Sequence, residues 1–406
     1  MPFSLQTPLM RRLTPVQWIA LLSVLLIALN LRGPFTSLAP VLEQIMESLH
    51  LSASMAGIVT ALPLAALAFF SPIAPRVALK IGLERALIFA LMCVAIGVMV
   101  RSMGSVSPLL IGTVLLGAGI AFGNVLLPAV VKEEFPLQIS VITSFYIFAM
   151  GIGSTLASSA MVPLSQLAPE QIDGWQFALL FNLLFPVAAL AFWLPKVFKN
   201  KTSAGHTTVI NTAPPEGMSS ILRSPVAWQV TLALGINSFT FYSLAGWLPK
   251  ILNDLGYSEL EAGYTYGFLQ FSTMVPGLLL MPILAKAKNH ILLITLCAGG
   301  VVVSLVGLIA APQWAVFWVA MFGLTNCSTF IVAISFVGLR TKDSKQAALL
   351  SGMSQSLGYS LAATGPSLIG YLYTQTQGWT TPLLTIAGFG VVCTVFAALA
   401  ARDKQV

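Results

Sequence analysis

Eight polar side chains sit inside long apolar runs of this chain: Asn30, Arg32, Asn124, Asn237, Tyr242, Asn326, Gln355 and Tyr359. Together they offer one guanidinium, five amides and two phenol hydroxyls, with no carboxylate beside them. A guanidinium is a planar fork of donors suited to a carboxylate, a phosphate or another charge-delocalised group. Amides and phenols can complete such a donor set. No nucleophile and base stand together, so the chemistry on offer is recognition rather than bond-making, and an enzyme is not expected. Arg32 is the most informative of the eight. A bare guanidinium in hydrocarbon costs from about 2.5 to more than 10 kcal/mol, so such residues face a polar cavity, a partner or the membrane surface.

The elements that must position these groups follow from composition. The 406 residues are 57% hydrophobic and 8% charged, against roughly 25% charged in soluble domains. Apolar runs at 16–40, 53–74, 86–104, 107–131, 138–162, 175–195, 225–248, 260–284, 290–311, 313–338, 346–372 and 379–401 are each about 20 residues or longer, enough to cross a ~30 Å hydrocarbon core. The first run is too long for a signal-peptide core and reads as a retained helix. The expectation is an all-α membrane protein of twelve transmembrane helices. Cys93, Cys297, Cys327 and Cys393 lie within spans at unrelated spacings, which favours packing over a disulfide or metal site. No cofactor or metal is expected.

Net charge +7 is a topology signal. With the N-terminus inside, the cytoplasmic segments collect the basic residues, including Arg11, Arg12, Arg76, Lys80, Arg85, Lys286, Lys288, Arg340 and Lys342. The opposite face keeps only Arg101 and Lys250. This positive-inside pattern predicts both termini in the cytoplasm and gives no reason to invoke nucleic acid. The longest polar segment, 196–224, holds Lys199, Lys201, Gly205, Pro214 and Pro215 and has linker composition. It divides the chain into an N-terminal bundle at 1–196, a linker at 197–223 and a C-terminal bundle at 224–406. The halves also match in register. Phe35-Thr36-Ser37-Leu38-Ala39 aligns with Phe241-Tyr242-Ser243-Leu244-Ala245, 206 residues on, as do Gly57 with Gly263 and Gly117 with Gly323. Such a register indicates an internal repeat.

In a straight first helix Arg32 stands about 24 Å from Val16 and about 15 Å from Leu42, between the midplane and the outer boundary. Two readings stand: Arg32 lines a cavity, or it snorkels to outer head groups. Pro34 removes a backbone donor beside it. Asn124, Asn237 and Asn326 repeat a mid-span amide in the fourth, seventh and tenth spans, either as cavity groups or as interhelical hydrogen bonds. Gly117, Gly119 and Gly123 read as helix-packing positions. Gln355 and Tyr359, four apart, share a helix face. Tyr146, Tyr266 and Gln270 are further candidates, as are Ser238, Trp247, Thr325 and Ser328; Tyr264 reads as an interfacial belt residue. No Asp or Glu lies deep in a span, and His50, His206 and His290 fall in loops or at a span edge. Without a buried acidic or histidine relay, uniport, or proton movement on a weakly acidic solute, is expected. No phosphate-binding glycine loop with Lys-Ser/Thr is present, which argues against ATP-driven transport, and the glycine cluster follows no strand, which argues against a dinucleotide site.

Twelve spans, a central linker and two parallel halves resemble the major facilitator superfamily, whose first, fourth, seventh and tenth spans line a midplane cavity. Within it, Asn30-Leu31-Arg32, Gly123-Asn124-Val125-Leu126-Leu127-Pro128, Ser224-Pro225-Val226-Ala227-Trp228-Gln229-Val230-Thr231, Gly246-Trp247-Leu248-Pro249, Gly338-Leu339-Arg340 and Leu350-Ser351-Gly352-Met353-Ser354-Gln355-Ser356 resemble the cyanate and 2-nitroimidazole transporter family, closer to the 2-nitroimidazole branch. One departure is visible. The superfamily's glycine–aspartate–arginine latch after the second span is reduced to Ser71, Pro75 and Arg76, with Gly82 and Arg85 matching its tail; Glu84 or Glu133 is the candidate substitute for the missing acid. The resemblance implies a small planar substrate, a monoanion such as cyanate or a nitroheterocycle, moved by alternating access across a bacterial inner membrane; the residues themselves make Arg32 the expected anchor. The other readings are broad drug efflux through a loose apolar pocket and, from a different class, a non-transporting membrane receptor. The expected partners are a small-molecule solute and the lipid bilayer, with a monomeric chain.

Overall fold

The computed structural model describes residues 15–135, 139–199, 218–277, 280, 290–342 and 344–406. Among these it contains helices and connecting turns and no strand, as a chain must where lipid offers no partner for open backbone groups. Helices α1 (Pro15–Asn30), α2 (Gly33–Thr36) and α3 (Leu42–Ser48) make the first crossing. There follow α4 (Ala53–Phe70), α5 (Ala74–Ile81), α6 (Leu83–Arg101), α7 (Val106–Glu134), α8 (Ile139–Gln166), α9 (Gly174–Phe181) and α10 (Leu184–Lys199). Beyond the expected linker, most of which lies outside the described residues, come α11 (Met218–Arg223), α12 (Pro225–Asp254), α13 (Glu259–Ser272), α14 (His290–Ala310), α15 (Ala315–Leu339), α16 (Ser344–Thr376) and α17 (Thr380–Ala400).

Helix starts are encoded locally. Ser52 caps α4 by accepting from the Met55 amide, and Ser258 with Glu261 forms a capping box on α13. Each satisfies backbone donors that the first turn leaves open.

Nine stretches among the described residues are long and apolar enough to cross a membrane. The expected seventh, eighth and eleventh spans are helical in α12, α13 and α16 but are not among the nine. The reason is legible for α12 and α16. Gln229, Asn237, Thr240 and Ser243 dilute the first, and Ser351, Ser354, Gln355 and Ser356 the second. The end of the expected eighth span lies largely outside the described residues.

The first crossing departs from expectation more sharply. It is not one continuous helix. α1 stops at Asn30, Leu31 closes a tighter turn onto the Ala28 carbonyl at 3.0 Å, and Arg32 becomes the N-cap of α2. Pro34 has no amide hydrogen to give the Asn30 carbonyl, so the ladder is interrupted where the proline sits. The α2 ladder consists of Thr36 on the Arg32 carbonyl and Ser37 on the Gly33 carbonyl, and a single 3-10 turn, Ala39–Val41, leads into α3.

Small residues let the helices close on one another. A methyl group at Gly57 in α4 would stand 2.7 Å from the Pro366 carbonyl oxygen in α16, and one at Gly263 in α13 would stand 2.9 Å from Val162 in α8. These two glycines are the repeat-related pair, and each closes on a helix of the other half. Gly117, Gly119 and Gly123 in α7 press in the same way on Ala66, Ala90 and Leu31, as packing positions should. Gly57→Leu must therefore push α4 off α16. We expect it to destabilise the purified protein by about 1–3 kcal/mol, read as a lowered melting temperature. Gly388→Ala, where nothing lies within 4 Å, should leave melting unchanged or slightly raised, because alanine favours helix.

Candidate binding cavity

One cavity of about 530 Å³ opens between the helices, in the ordinary range of about 300–1,000 Å³ for small-molecule sites. Its wall is built from the break in the first crossing and from α4, α7, α8, α12, α15 and α16, with Thr273 following α13. It brings together seven of the eight sequence-selected residues: Arg32, Asn124, Asn237, Tyr242, Asn326, Gln355 and Tyr359.

Asn30 is the exception. It is fully buried outside the wall and donates to the Leu26 carbonyl at 2.8 Å. α1 ends at Asn30 and Arg32 lies beyond the break as the N-cap of α2, so the two do not share a helical face. Tyr146 and Ser238 line the cavity; Tyr266, Gln270, Trp247, Thr325 and Ser328 do not. Trp247 instead donates to the Pro366 carbonyl at 2.9 Å, and Thr325 to Met321 at 2.7 Å. Tyr264 is exposed on the outer surface of the helices.

The break is what aims Arg32. Gly33 and Gly153 allow the broken segment to lie directly against α8, where a methyl on either would meet backbone within 2.9 Å. Thr36 and Ser154 join the same two elements by a hydroxyl contact of 3.1 Å. Arg32 is half-buried in the cavity wall, its Cζ 5.8 Å from the centroid of the Phe241 ring. Among the described residues its guanidinium has no hydrogen bond and no carboxylate partner. Tyr242 stands edge-on to both Phe35 (5.6 Å) and Phe241 (5.3 Å), so aromatic faces and a cation meet at one end of the cavity.

The amides divide into two kinds. Asn237 and Asn326 are buried and reciprocally paired: the Asn326 amide nitrogen reaches the Asn237 side-chain oxygen, the Asn237 carbonyl and the Thr240 hydroxyl, each at 3.2 Å. They line the cavity and also tie α12 to α15, so the two roles weighed for them coincide. Asn124, Gln355 and Tyr359 line the cavity and make no side-chain hydrogen bond among the described residues.

From Arg32 and Phe35 the wall runs along α4 to Ser71. The opposite end is shut. Glu43 of α3 pairs with Lys250 of α12 at 2.6 Å and accepts from Asn253, while Lys250 also reaches Asp254 at 3.3 Å. Asp254 in turn accepts from Tyr373 and Trp379, and Gln44 bridges to Glu259 at 2.8 Å. A partly buried charge cluster thus bolts the first crossing to α12 and α13.

One charge escaped the reading of the sequence. Arg101, assigned to the outer face at a span end, is the last residue of α6 and is fully buried. Arg32 is therefore not the sole cation within the helical body.

Residues 20–363 match the Major Facilitator Superfamily profile. The chain belongs to the Major Facilitator Superfamily. It is 40% identical over 383 residues to the 2-nitroimidazole transporter of Escherichia coli (strain K12), covering 94% of this chain and 95% of that one. It is 26% identical to the cyanate transport protein CynX of the same organism over 93% of this chain and 97% of the relative. In fold it is similar to an inward-facing, unoccupied bacterial homologue of the human lysosomal transporter Spinster, with TM-score 0.75 and 15% identity over 96% of this chain and 98% of that one. This Major Facilitator protein is accordingly a multi-pass bacterial membrane transporter and not an enzyme.

The two kinds of amide should separate in a melting experiment. Asn326→Ala strands the Asn237 amide and should cost about 1–3 kcal/mol. Asn124→Ala removes no protein partner and should stay within about 0.5 kcal/mol of the parent.

Proposed function

We propose that this transporter moves a small planar monoanion or nitroheterocycle across the bacterial inner membrane by alternating access, with Arg32 as its anchor. The observation that carries the reading is the guanidinium on the cavity wall with no carboxylate to neutralise it among the described residues. A charge-assisted hydrogen bond to a carboxylate, cyanate or nitro oxygen would satisfy it, and a single cation suits a single negative charge or a dipole. Asn124, Asn237, Asn326, Gln355, Tyr242 and Tyr359 complete the donor and acceptor set. The cavity volume and the Phe35, Phe241 and Tyr242 rings favour a ring-sized solute over a triatomic ion. The 2-nitroimidazole named for the 40% identical relative fits that description.

The bundles at 1–196 and 224–406 would rock about the cavity, with 197–223 as a cytoplasmic linker and both termini inside. The shut Glu43–Lys250 end is then the outer one, and Ser71 marks the cytoplasmic side. The chain works as a monomer. With no acid among the described residues of the cavity wall, transport is uniport, or a proton travels on the weakly acidic solute.

The largely apolar remainder of the wall, including Leu64, Leu67, Ile120, Met150 and Phe330, favours a second reading, broad efflux of lipophilic drugs with a structural Arg32. The arginine decides between them. Arg32→Ala and Arg32→Lys should each weaken 2-nitroimidazole binding by about tenfold or more, since lysine keeps charge but loses the planar fork, while melting changes little. Undiminished affinity in Arg32→Ala, together with a preference for lipophilic cations, would establish the efflux reading instead. Solute flux into liposomes distinguishes either carrier from a receptor.

A further inference from the structure

We infer that Arg101 is a positioning residue for the binding site: from α6 it holds the broken first crossing in the one conformation that turns Arg32 into the cavity. The inference rests on the anchor role proposed for Arg32. It starts from an arginine that is fully buried yet has no carboxylate within ion-pair reach among the described residues. Its Nη1 donates to the Pro34 carbonyl at 2.8 Å and its Nη2 to the Ser37 hydroxyl at 3.0 Å, while Ser37 itself donates to the Pro34 carbonyl at 3.0 Å. Every hydrogen bond of the guanidinium therefore goes to the segment that begins directly after Arg32.

That segment needs an outside support. Its helical ladder ends with Ser37 on the Gly33 carbonyl, so the Pro34 carbonyl is released from the backbone pattern and would be costly to leave unpaired. The Arg101 fork, with the Ser37 hydroxyl, takes the place of the missing ladder bond. A lone hydroxyl could satisfy the carbonyl but could not tie it to another helix. The other end of the lever is equally fixed: a methyl at Gly112 in α7 would stand 2.3 Å from the Arg101 backbone nitrogen, so α7 backs the arginine directly. On its far side the same segment rests on Gly153 and Ser154 of α8. Arg32, as the N-cap of a four-residue helix clamped from both sides, has little freedom in its backbone direction. Releasing one clamp lets the cap rotate and carries the guanidinium away from the Phe241 and Tyr242 rings.

The test reads the direction of position 32 independently of any substrate. In a protein whose four native cysteines are replaced by alanine, Arg32→Cys and, separately, Asn124→Cys are labelled with a small methanethiosulfonate reagent in detergent. Adding Arg101→Met should slow labelling at position 32 by about tenfold, the loss of a charge-assisted hydrogen bond, and leave position 124 unchanged. Arg101→Lys, with one point donor in place of the fork, should fall between. With Arg32 present, Arg101→Met should weaken 2-nitroimidazole binding by a similar factor. If Arg101→Met does not yield folded protein, Ser37→Ala, which removes one arm of the clamp, is read in the same way and should slow position 32 by about threefold. Equal labelling of position 32 with and without the clamp overturns the inference, as does equal slowing at both positions, which would mean a collapsed cavity. If 2-nitroimidazole fails to bind the parent protein, the anchor role of Arg32 fails, and the labelling ratio still decides the role of Arg101.

Discussion

The structure is organised around a guanidinium that no carboxylate among the described residues neutralises. A cation held away from bulk water is costly unless something answers its charge, and most proteins supply an acid. Here the Arg32 side chain is left facing a cavity with an aromatic ring at 5.8 Å and amides around it. Such a site has an unmet demand for an acceptor. In the proposed mechanism the solute meets it, so that binding and charge compensation are the same event. The aromatic neighbours add a preference for flat, polarisable groups, since a cation and ring edges together favour π systems.

The backbone break is the means of creating that demand. In a continuous helix a residue at this depth would hand its carbonyl and amide to the ladder, and its side-chain direction would follow from register alone. Pro34 withholds a donor, Gly33 permits contact with α8, and Arg32 falls at the cap between two short helices. The same design of discontinuous helices lining a membrane cavity recurs in secondary carriers. At the far end the closure is electrostatic. Lys250 is shared between Glu43, on another helix, and Asp254, one turn away on its own. If the bolt opened, Lys250 would retain one carboxylate, so opening need not leave a bare ammonium. The glycine contacts of α4 with α16 and of α8 with α13 set how closely the halves meet at that closed end.

Much of this was legible in the residues. Apolar length gave the helices, and Gly117, Gly119 and Gly123 fell at helix contacts as their spacing suggested. Mid-span amides in the fourth, seventh and tenth spans reached the cavity because residues of opposite polarity to their helix have few other places to go. Gln355 and Tyr359 did so together because four residues bring two side chains to one face. Asn30 did not, because it is the last residue of α1 and its amide is taken by the Leu26 carbonyl one turn back. Arg101 was hidden for a different reason. A basic residue at the end of an apolar run looks like a loop charge, and its partners are a backbone carbonyl and a serine hydroxyl, which carry no mark in sequence until the break is seen. The partial interruption of the first crossing was signalled only by Pro34, which is compatible with a kink as readily as with a full change of helix.

The central claim is that the solute comes to rest on Arg32. The most direct measurement is a structure of the protein with a bromine-substituted nitroimidazole bound, in which the anomalous signal of the halogen locates the ligand without ambiguity. The account predicts the ring between Phe35, Phe241 and Tyr242, with a nitro oxygen within hydrogen-bond distance of the Arg32 guanidinium. A ligand seated among Leu64, Leu67 and Ile120 with Arg32 still unengaged would contradict it.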